Sequence, residues 1–327
     1  MAWQPMAAGR PVMSCVYVKG RAGNDCSLWR CYKLIMTEIT RFAPSPTGHL
    51  HLGHVASALR GWRAAAESGG RFVLRIEDID TVRCQPRFMT DLYADLTWLG
   101  LSWPQPVRRQ SQHMDEYRHA LNALGARGLL YPCFCTRRDI MEAAGAPHHA
   151  PDGAMVYPGT CCHMGPARRA ALLAAGAPHA LRLDMARALA LPGAGALTWD
   201  ELGHGPQPCQ PELFGDVVLA RKDVPASYHL CVTHDDALQG ITLVTRGVDL
   251  RPATGLHRLL QHIMGWPAPR YSHHALLCDS AGRRLAKRDG AVSIRSMREA
   301  GMTPAQVCRA AMVADHISAV PSGEGSL

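Results

Sequence analysis

Apolar positions along the chain switch between a two-residue and a helical period, as in α/β proteins. Ile39-Thr40-Arg41-Phe42-Ala43 reads as a short strand and Pro44-Ser45-Pro46-Thr47-Gly48 as a proline-fixed turn. His51 to Ala66 reads as a helix, with Leu52, Val55, Leu59 and Trp62 at helical spacing. The run RFVLRI, Arg71 to Ile76, predicts a second strand closed by the acids Glu77, Asp78 and Asp80, and helices are expected around 88–100 and 113–128. Strand, helix, strand in this order is a βαβ unit. From about 131 to 215 the periodicity breaks in a stretch rich in Cys, His, Pro and Gly, which reads as an insert outside the sheet. Asp216-Val217-Val218-Leu219-Ala220 and Gly240 to Thr245 then resume buried-type strands. Thr303 before Pro304, with Gln306, predicts a capped, short terminal helix ahead of a polar tail, Pro321 to Leu327.

The expected organisation is a leader over 1–36, the first half of an α/β domain over 37–130, the insert over 131–215, the second half over 216–270, and a final region with the short helix over 271–327. The leader has no periodicity and reads as a disordered tail. Met36 directly precedes TEITRFAPSPTG, where patterning begins, so translation is expected to start there; a basic transit peptide is the alternative.

Composition narrows the classes. A chain of 327 residues can bury a core without disulfides, and no apolar run reaches the roughly 18 residues of a membrane span, so no membrane partner is expected. The 12 cysteines are irregularly spread, include the adjacent pair Cys161-Cys162 and follow no secretory signal, which fits a reducing cytoplasm better than a disulfide framework. The formal charge of +8 invites a nucleic-acid reading, but the leader alone carries five basic groups against Asp25, and so holds half of the excess. Only four of the 35 basic residues are lysines, a compositional bias that leaves most arginines without a functional meaning.

The candidate chemistry starts at RFAPSPTGHLHLGH, residues 41–54. A strand runs through a fixed turn into a helix whose first turn carries His51 and His54. Free N–H groups and the helix dipole attract phosphate there, and the two imidazoles face the same way. An isolated pair of this kind among 17 histidines would be an ordinary surface feature.

The wider string closely resembles the first signature of the class I glutamyl-tRNA synthetases, and RIEDID (75–80), TRGVDL (245–250) and RRLAKRDG (283–290) follow in that family's order. The resemblance covers about residues 37–300. It implies a class I aminoacyl-tRNA synthetase Rossmann-type catalytic domain that activates L-glutamate with ATP and Mg²⁺. His51, His54 and Lys287 are then implied to bind ATP and act in catalysis, Lys287 by neutralising the phosphates as pyrophosphate leaves. Arg284 and Ala286 stand where the family more usually has Lys and Ser. Arginine keeps the charge, whereas alanine loses a hydroxyl. Replacing Lys287 by Ala is expected to slow adenylate formation by roughly 10²-fold.

Glutamate needs cationic forks for its carboxylates and an acid for its ammonium. Carried across position by position, the resemblance implies Arg41, Phe42, Ala43, Pro44 and Ser45 on the first strand and turn, Glu77 after the second strand, Tyr228 in SYHL and Arg246 in TRGVDL.

Cys133 and Cys135 in YPCFCTR, with Cys161 in YPGTCC, give three thiols for a zinc site. The residues alone favour Cys162, His163 or His148 as the fourth ligand. The resemblance implies Cys133, Cys135, Tyr157 and Cys161, one structural zinc in the insert, although Cys162 stands where an arginine is more usual.

After Lys287 only 40 residues remain, too few for the anticodon-binding region of full-length members. This resembles a short branch of the family, without an anticodon-binding domain, implied to attach glutamate to the queuosine base in the anticodon loop of tRNA-Asp. The expected partners are therefore L-glutamate, ATP and queuosine-bearing tRNA-Asp, with the protein acting as a monomer. A truncated synthetase charging a tRNA 3′ end, and a catalytically silent tRNA-binding paralogue, are the competing expectations.

Overall fold

The computed structural model describes residues 37–144, 148–277 and 292–318. The leader, the lysine segment with Arg284, Ala286 and Lys287, and the 321–327 tail lie outside the described residues.

Strand β1 (Ile39–Phe42) passes through the proline turn into α1 (Leu52–Glu67), β2 (Arg71–Ile76), α2 (Pro86–Trp98), the two-residue β3 (Arg108–Arg109) and α3 (Met114–Ala126). Next come β4 (Leu130–Cys133), α4 (Arg137–Ala143), α5 (Pro166–Ala174), β5 (Ala180–Leu183) and α6 (Met185–Leu189). The hairpin β6 (Thr198–Glu201) and β7 (Gly205–Pro208) precedes β8 (Val218–Ala220), α7 (Tyr228–Leu238), β9 (Leu243–Gly247) and α8 (Ala253–Met264). The described chain closes with β10 (Arg270–His274), α9 (Ile294–Glu299) and α10 (Pro304–Ser318).

The main sheet has the order β3-β2-β1-β9-β10-β6-β7, parallel except for the last strand. The chain steps from β1 outward through β2 and β3, then resumes at β9 on the other side of β1. The order reverses between β1 and β9, and at such a switch point the carboxyl ends of the strands open into a ligand crevice. Leu74 and Ile76 of β2 are fully buried, each contributing about 1.5–3 kcal/mol. They pack with Val55, Ala58 and Leu59 of α1 and with Val307 and Ala311 of α10. Thr40 donates its hydroxyl to the Gly61 carbonyl at 2.7 Å, which fixes α1 closely against β1. The terminal helix carries the anticipated cap: Gln306 Oε1 accepts from the Thr303 N–H at 2.7 Å, and Thr303 Oγ1 accepts from the Gln306 N–H at 3.3 Å.

The middle of the chain departs from the expected division. Residues 131–215 do not form an insert wholly outside the sheet, because β6 and β7 lengthen the main sheet beyond β10. Nor does the 216–220 strand rejoin that sheet: β8 pairs with β5, which pairs antiparallel with β4, in a separate three-stranded sheet. The physical reason lies in burial. Trp199 and Glu201 alternate inward from β6, and Pro206 and Pro208 are accommodated because β7 is an edge strand.

Candidate active site and cysteine cluster

At the carboxyl ends of β1, β2, β9 and β10 lies a cleft of about 560 Å³. Its walls include Arg41, Phe42, Ala43, Pro44 and Ser45, and also His51, His54, Glu77, Tyr228 and Arg246. Residues separated by up to about 200 positions in sequence are thus brought to one space.

At one end the cleft meets the start of α1. His51 is the helix N-cap, and its Nδ1 accepts from the Gly53 N–H at 3.1 Å. His54 Nδ1 accepts from the His51 N–H at 3.2 Å, which completes a reciprocal cap. A nitrogen that accepts cannot carry the proton, so both rings are neutral with the proton on Nε2. The rings lie 3.8 Å apart at 35°. Gly53 makes this possible, because a Cβ there would sit 3.0 Å from the His51 Cε1.

The other end is charged and largely buried. Arg41, buried in β1, donates Nε to Asp236 at 3.1 Å and Nη1 to the Thr245 carbonyl at 3.1 Å. Arg75 donates to the same Asp236 oxygen at 2.6 Å and lies 3.6 Å from Glu77. Glu77 Oε1 is buried with no hydrogen bond. Burial pushes the Glu77 carboxyl up to about 7 against the pull of Arg75 and Arg41. Tyr228 begins α7; burial raises its phenol, which therefore stays an uncharged donor.

Arg246 on β9 is 5% exposed, and its described partners are all neutral. Nε donates to His273 Nε2 at 3.1 Å, Nη1 to His257 Nδ1 at 3.2 Å and Nη2 to Thr254 at 2.7 Å. Behind them, His273 Nδ1 meets Glu201 at 2.7 Å and His257 Nε2 meets His229 at 3.1 Å. Burial, then the Arg246 charge, pushes His273 down to about 4 and His257 well below its ordinary range. Sequence reasoning missed these supports, along with Asp236 and Arg75. The available signal was the run of polar residues inside apolar helices and strands, such as His257 within LHRLL and Asp235-Asp236 within α7. Asp235 fixes α7 by accepting from Tyr117 at 2.8 Å, Arg108 at 2.9 Å and Gln110 at 3.1 Å.

The thiols of Cys133, Cys135 and Cys161 converge, all within 4.8 Å of one another. The Tyr157 hydroxyl lies 3.4 Å from Cys135 Sγ and accepts from the Cys161 N–H at 2.8 Å. Cys162 turns away, its Sγ 3.9 Å from Asp184. Three sulfurs and a phenol are a donor set that a tetrahedral soft-ligand metal fits. The cluster is partly buried at the end of β4, with Tyr131 and Ala180 packed against it.

Beside the small sheet, a groove of about 900 Å³ is lined by Arg83, Arg137, Arg182, Arg221 and Lys222, with Asp80 and Asp223. No helix among the described residues is long and apolar enough to cross a membrane.

Comparison with known proteins adds to this geometry. The family model for "tRNA synthetases class I (E and Q), catalytic domain" matches residues 38–314. A glutamyl-Q tRNA(Asp) synthetase of Rhodobacter capsulatus is 48% identical over 282 residues, which is 83% of this chain and 98% of that protein. A protein of the same name from Symbiobacterium thermophilum is 43% identical over 275 residues, 82% of this chain and 83% of its own. Among solved structures, a glutamate tRNA ligase from Elizabethkingia meningosepticum in complex with its amino acid superposes with a TM-score of 0.64 at 30% identity. The match covers 78% of this chain and 52% of that one, so the chain spans about half the length of that structure.

Proposed function

This chain belongs to the class I tRNA synthetases of the glutamate and glutamine group, a family of ligases, and on that premise we propose that it activates L-glutamate with ATP and transfers it to the queuosine base of tRNA-Asp. The observation that carries the reading is the pairing of charges in one cleft. Arg246 presents a guanidinium with no carboxylate partner among the described residues, and Glu77 presents a buried carboxyl oxygen with no hydrogen bond. An amino acid with a side-chain carboxylate and an ammonium fits both.

In this reading Arg246 grips a carboxylate of glutamate and Glu77 accepts from the ammonium. Tyr228 donates from a fixed ring, and Arg41 offers Nη2, which its bonds to Asp236 and Thr245 leave over. Phe42, Ala43, Pro44 and Ser45 form the floor between the two ends. The Nε2–H groups of His51 and His54, with the α1 N-terminus, receive the ATP phosphates. Lys287, outside the described residues, is assigned the departing pyrophosphate. An oxygen of the glutamate α-carboxylate attacks the α-phosphorus, and the bond to the β-phosphate breaks. Pyrophosphate leaves and glutamyl-adenylate remains. The acyl group then passes to the modified nucleoside as AMP departs. Mg²⁺ travelling with ATP shares the phosphate charge in the first step.

The names of the Rhodobacter and Symbiobacterium relatives support the choice of acceptor. One structural zinc held by Cys133, Cys135, Cys161 and Tyr157 completes the reading. The irregular spread of the cysteines along the sequence supports a reducing cytoplasm as the working compartment.

The test is glutamylation of tRNA-Asp with and without queuosine. Incorporation that requires the modified base supports the proposal. Glutamate esterified to the tRNA 3′ end regardless of queuosine would overturn the assigned acceptor, and absence of glutamate-dependent pyrophosphate exchange would overturn the enzyme reading altogether.

A further inference from the structure

We propose that His257, His273 and Thr254 form a cage of hydrogen-bond acceptors that positions the Arg246 guanidinium and keeps its charge available to an anionic ligand. The proposal rests on the glutamate-site reading and deepens it by naming what orients the gripping residue and selects a carboxylate over a carboxamide.

A guanidinium only donates. Every atom that meets Arg246 at hydrogen-bond distance must therefore offer a lone pair, which fixes the protonation of both imidazoles. His257 accepts at Nδ1, so its proton lies on Nε2 and is given to His229 Nδ1 at 3.1 Å. His273 accepts at Nε2, so its proton lies on Nδ1 and is given to Glu201 at 2.7 Å. The two rings thus carry opposite tautomers, each set by the partner behind it. Thr254, fully buried, takes the remaining nitrogen, Nη2.

The choice of partners has a consequence for specificity. A buried arginine is ordinarily matched by a carboxylate, which would cancel the charge that a substrate carboxylate needs. Arg41 is matched in this way, by Asp236 at 3.1 Å. Arg246 is held by three neutral acceptors, and the nearest carboxylate in its hydrogen-bonded chain, Glu201, lies one imidazole away. The guanidinium is therefore rigid and uncompensated, which favours an anionic side chain over its neutral amide. His257, His273 and Thr254 are positioning residues in this account, acting through Arg246.

The experiment measures glutamate-dependent pyrophosphate exchange in the full chain for four variants. His257→Leu removes one acceptor and is expected to raise the KM for glutamate about 10- to 100-fold, the loss of a hydrogen bond to a charged group. The kcat and the KM for ATP are expected to hold, and discrimination against glutamine to narrow. His257→Asn puts an oxygen where Nδ1 stood and should restore the KM to within a few-fold. Thr254→Val, nearly isosteric, should raise the glutamate KM in the same direction and decides the matter if His257→Leu does not fold. Arg246→Ala separates the two layers. If it leaves the glutamate KM unchanged, the glutamate-site reading fails and the cage with it. If it raises that KM while His257→Leu and Thr254→Val do not, the cage alone is wrong. Equal losses in His257→Leu and His257→Asn would also overturn it.

Discussion

The rings of His51 and His54 lie 3.8 Å apart and tilted by 35°, each with Nδ1 turned onto a backbone N–H at the start of α1. His51 therefore has two separable duties, capping the helix and presenting an Nε2–H. His51→Ala should lose both: about 1 kcal/mol of stability from the cap and roughly 10²-fold in adenylate formation from the lost donor. His51→Asn keeps a capping oxygen, so its melting temperature should return to near wild type while pyrophosphate exchange stays low. Recovery of exchange together with stability would show that His51 acts only as a cap.

Glu77 gives the site a pH dependence with a definite sign. Burial holds its carboxyl up to about 7, so as pH falls through 7 it takes a proton and ceases to attract an ammonium. The KM for glutamate should climb on the acid side of 7, and Glu77→Gln should flatten that limb at a high KM. Stability runs the other way. A carboxyl raised in the folded state binds more protons folded than unfolded between its ordinary value, 4.5, and about 7. Its stabilising share is complete below 4.5 and is lost as pH rises through 7. In the ligand-free protein Glu77→Gln should therefore raise the melting temperature at pH 8 and change little at pH 5. A wild-type glutamate KM that is flat from pH 6 to 8 would count against the assignment.

The cysteine cluster makes a prediction about metal content. Protein purified without chelators should carry about one zinc per chain, and stripping it should lower the melting temperature by several degrees. Cys161→Ser should lose the metal. Cys162→Ser should keep it, because that thiol faces Asp184. Tyr157→Phe tests the fourth ligand: retained stoichiometry with weaker affinity would fit a phenol ligand, and unchanged affinity would remove Tyr157 from the set.

The sequence made the cleft legible where local signals were strong. The RFAPSPTGHLHLGH string carries its own turn and cap, and RFVLRI is apolar enough to read as a strand; both appear within a residue or two of expectation. Legibility failed where partners are distant. Trp199 and Glu201 lie in a Pro- and Gly-rich stretch that reads as part of an insert outside the sheet, yet β6 joins β10, and Glu201 bonds both the backbone and the ring of His273 across 72 residues. The strand at 218–220 has a buried pattern that says nothing of which sheet receives it. Supports such as His257 and Asp236 have no spacing motif, because each is defined by one buried interaction that only the fold creates.

The groove beside the small sheet gathers five basic side chains, and it is expected to contribute to tRNA binding. Asp80 lines the groove three residues after Glu77 of the cleft, and the two spaces share no lining residue. Arg83 and Arg221 are already matched by Asp80 and Asp223 at 2.7 Å, and Arg182 lies over the Tyr157 ring. Arg137 and Lys222 form no ion pair among the described residues; Lys222 donates to the Phe134 carbonyl at 2.8 Å. Reversing either charge, by Arg137→Glu or Lys222→Glu, should weaken tRNA binding about tenfold at low salt. It should also flatten the dependence of log affinity on log salt by roughly 0.7–0.9 for each phosphate no longer neutralised. Pyrophosphate exchange without tRNA should be untouched, since neither side chain lines the cleft. Equal tRNA affinity and an unchanged salt slope in both variants would mean that the RNA approaches from another face.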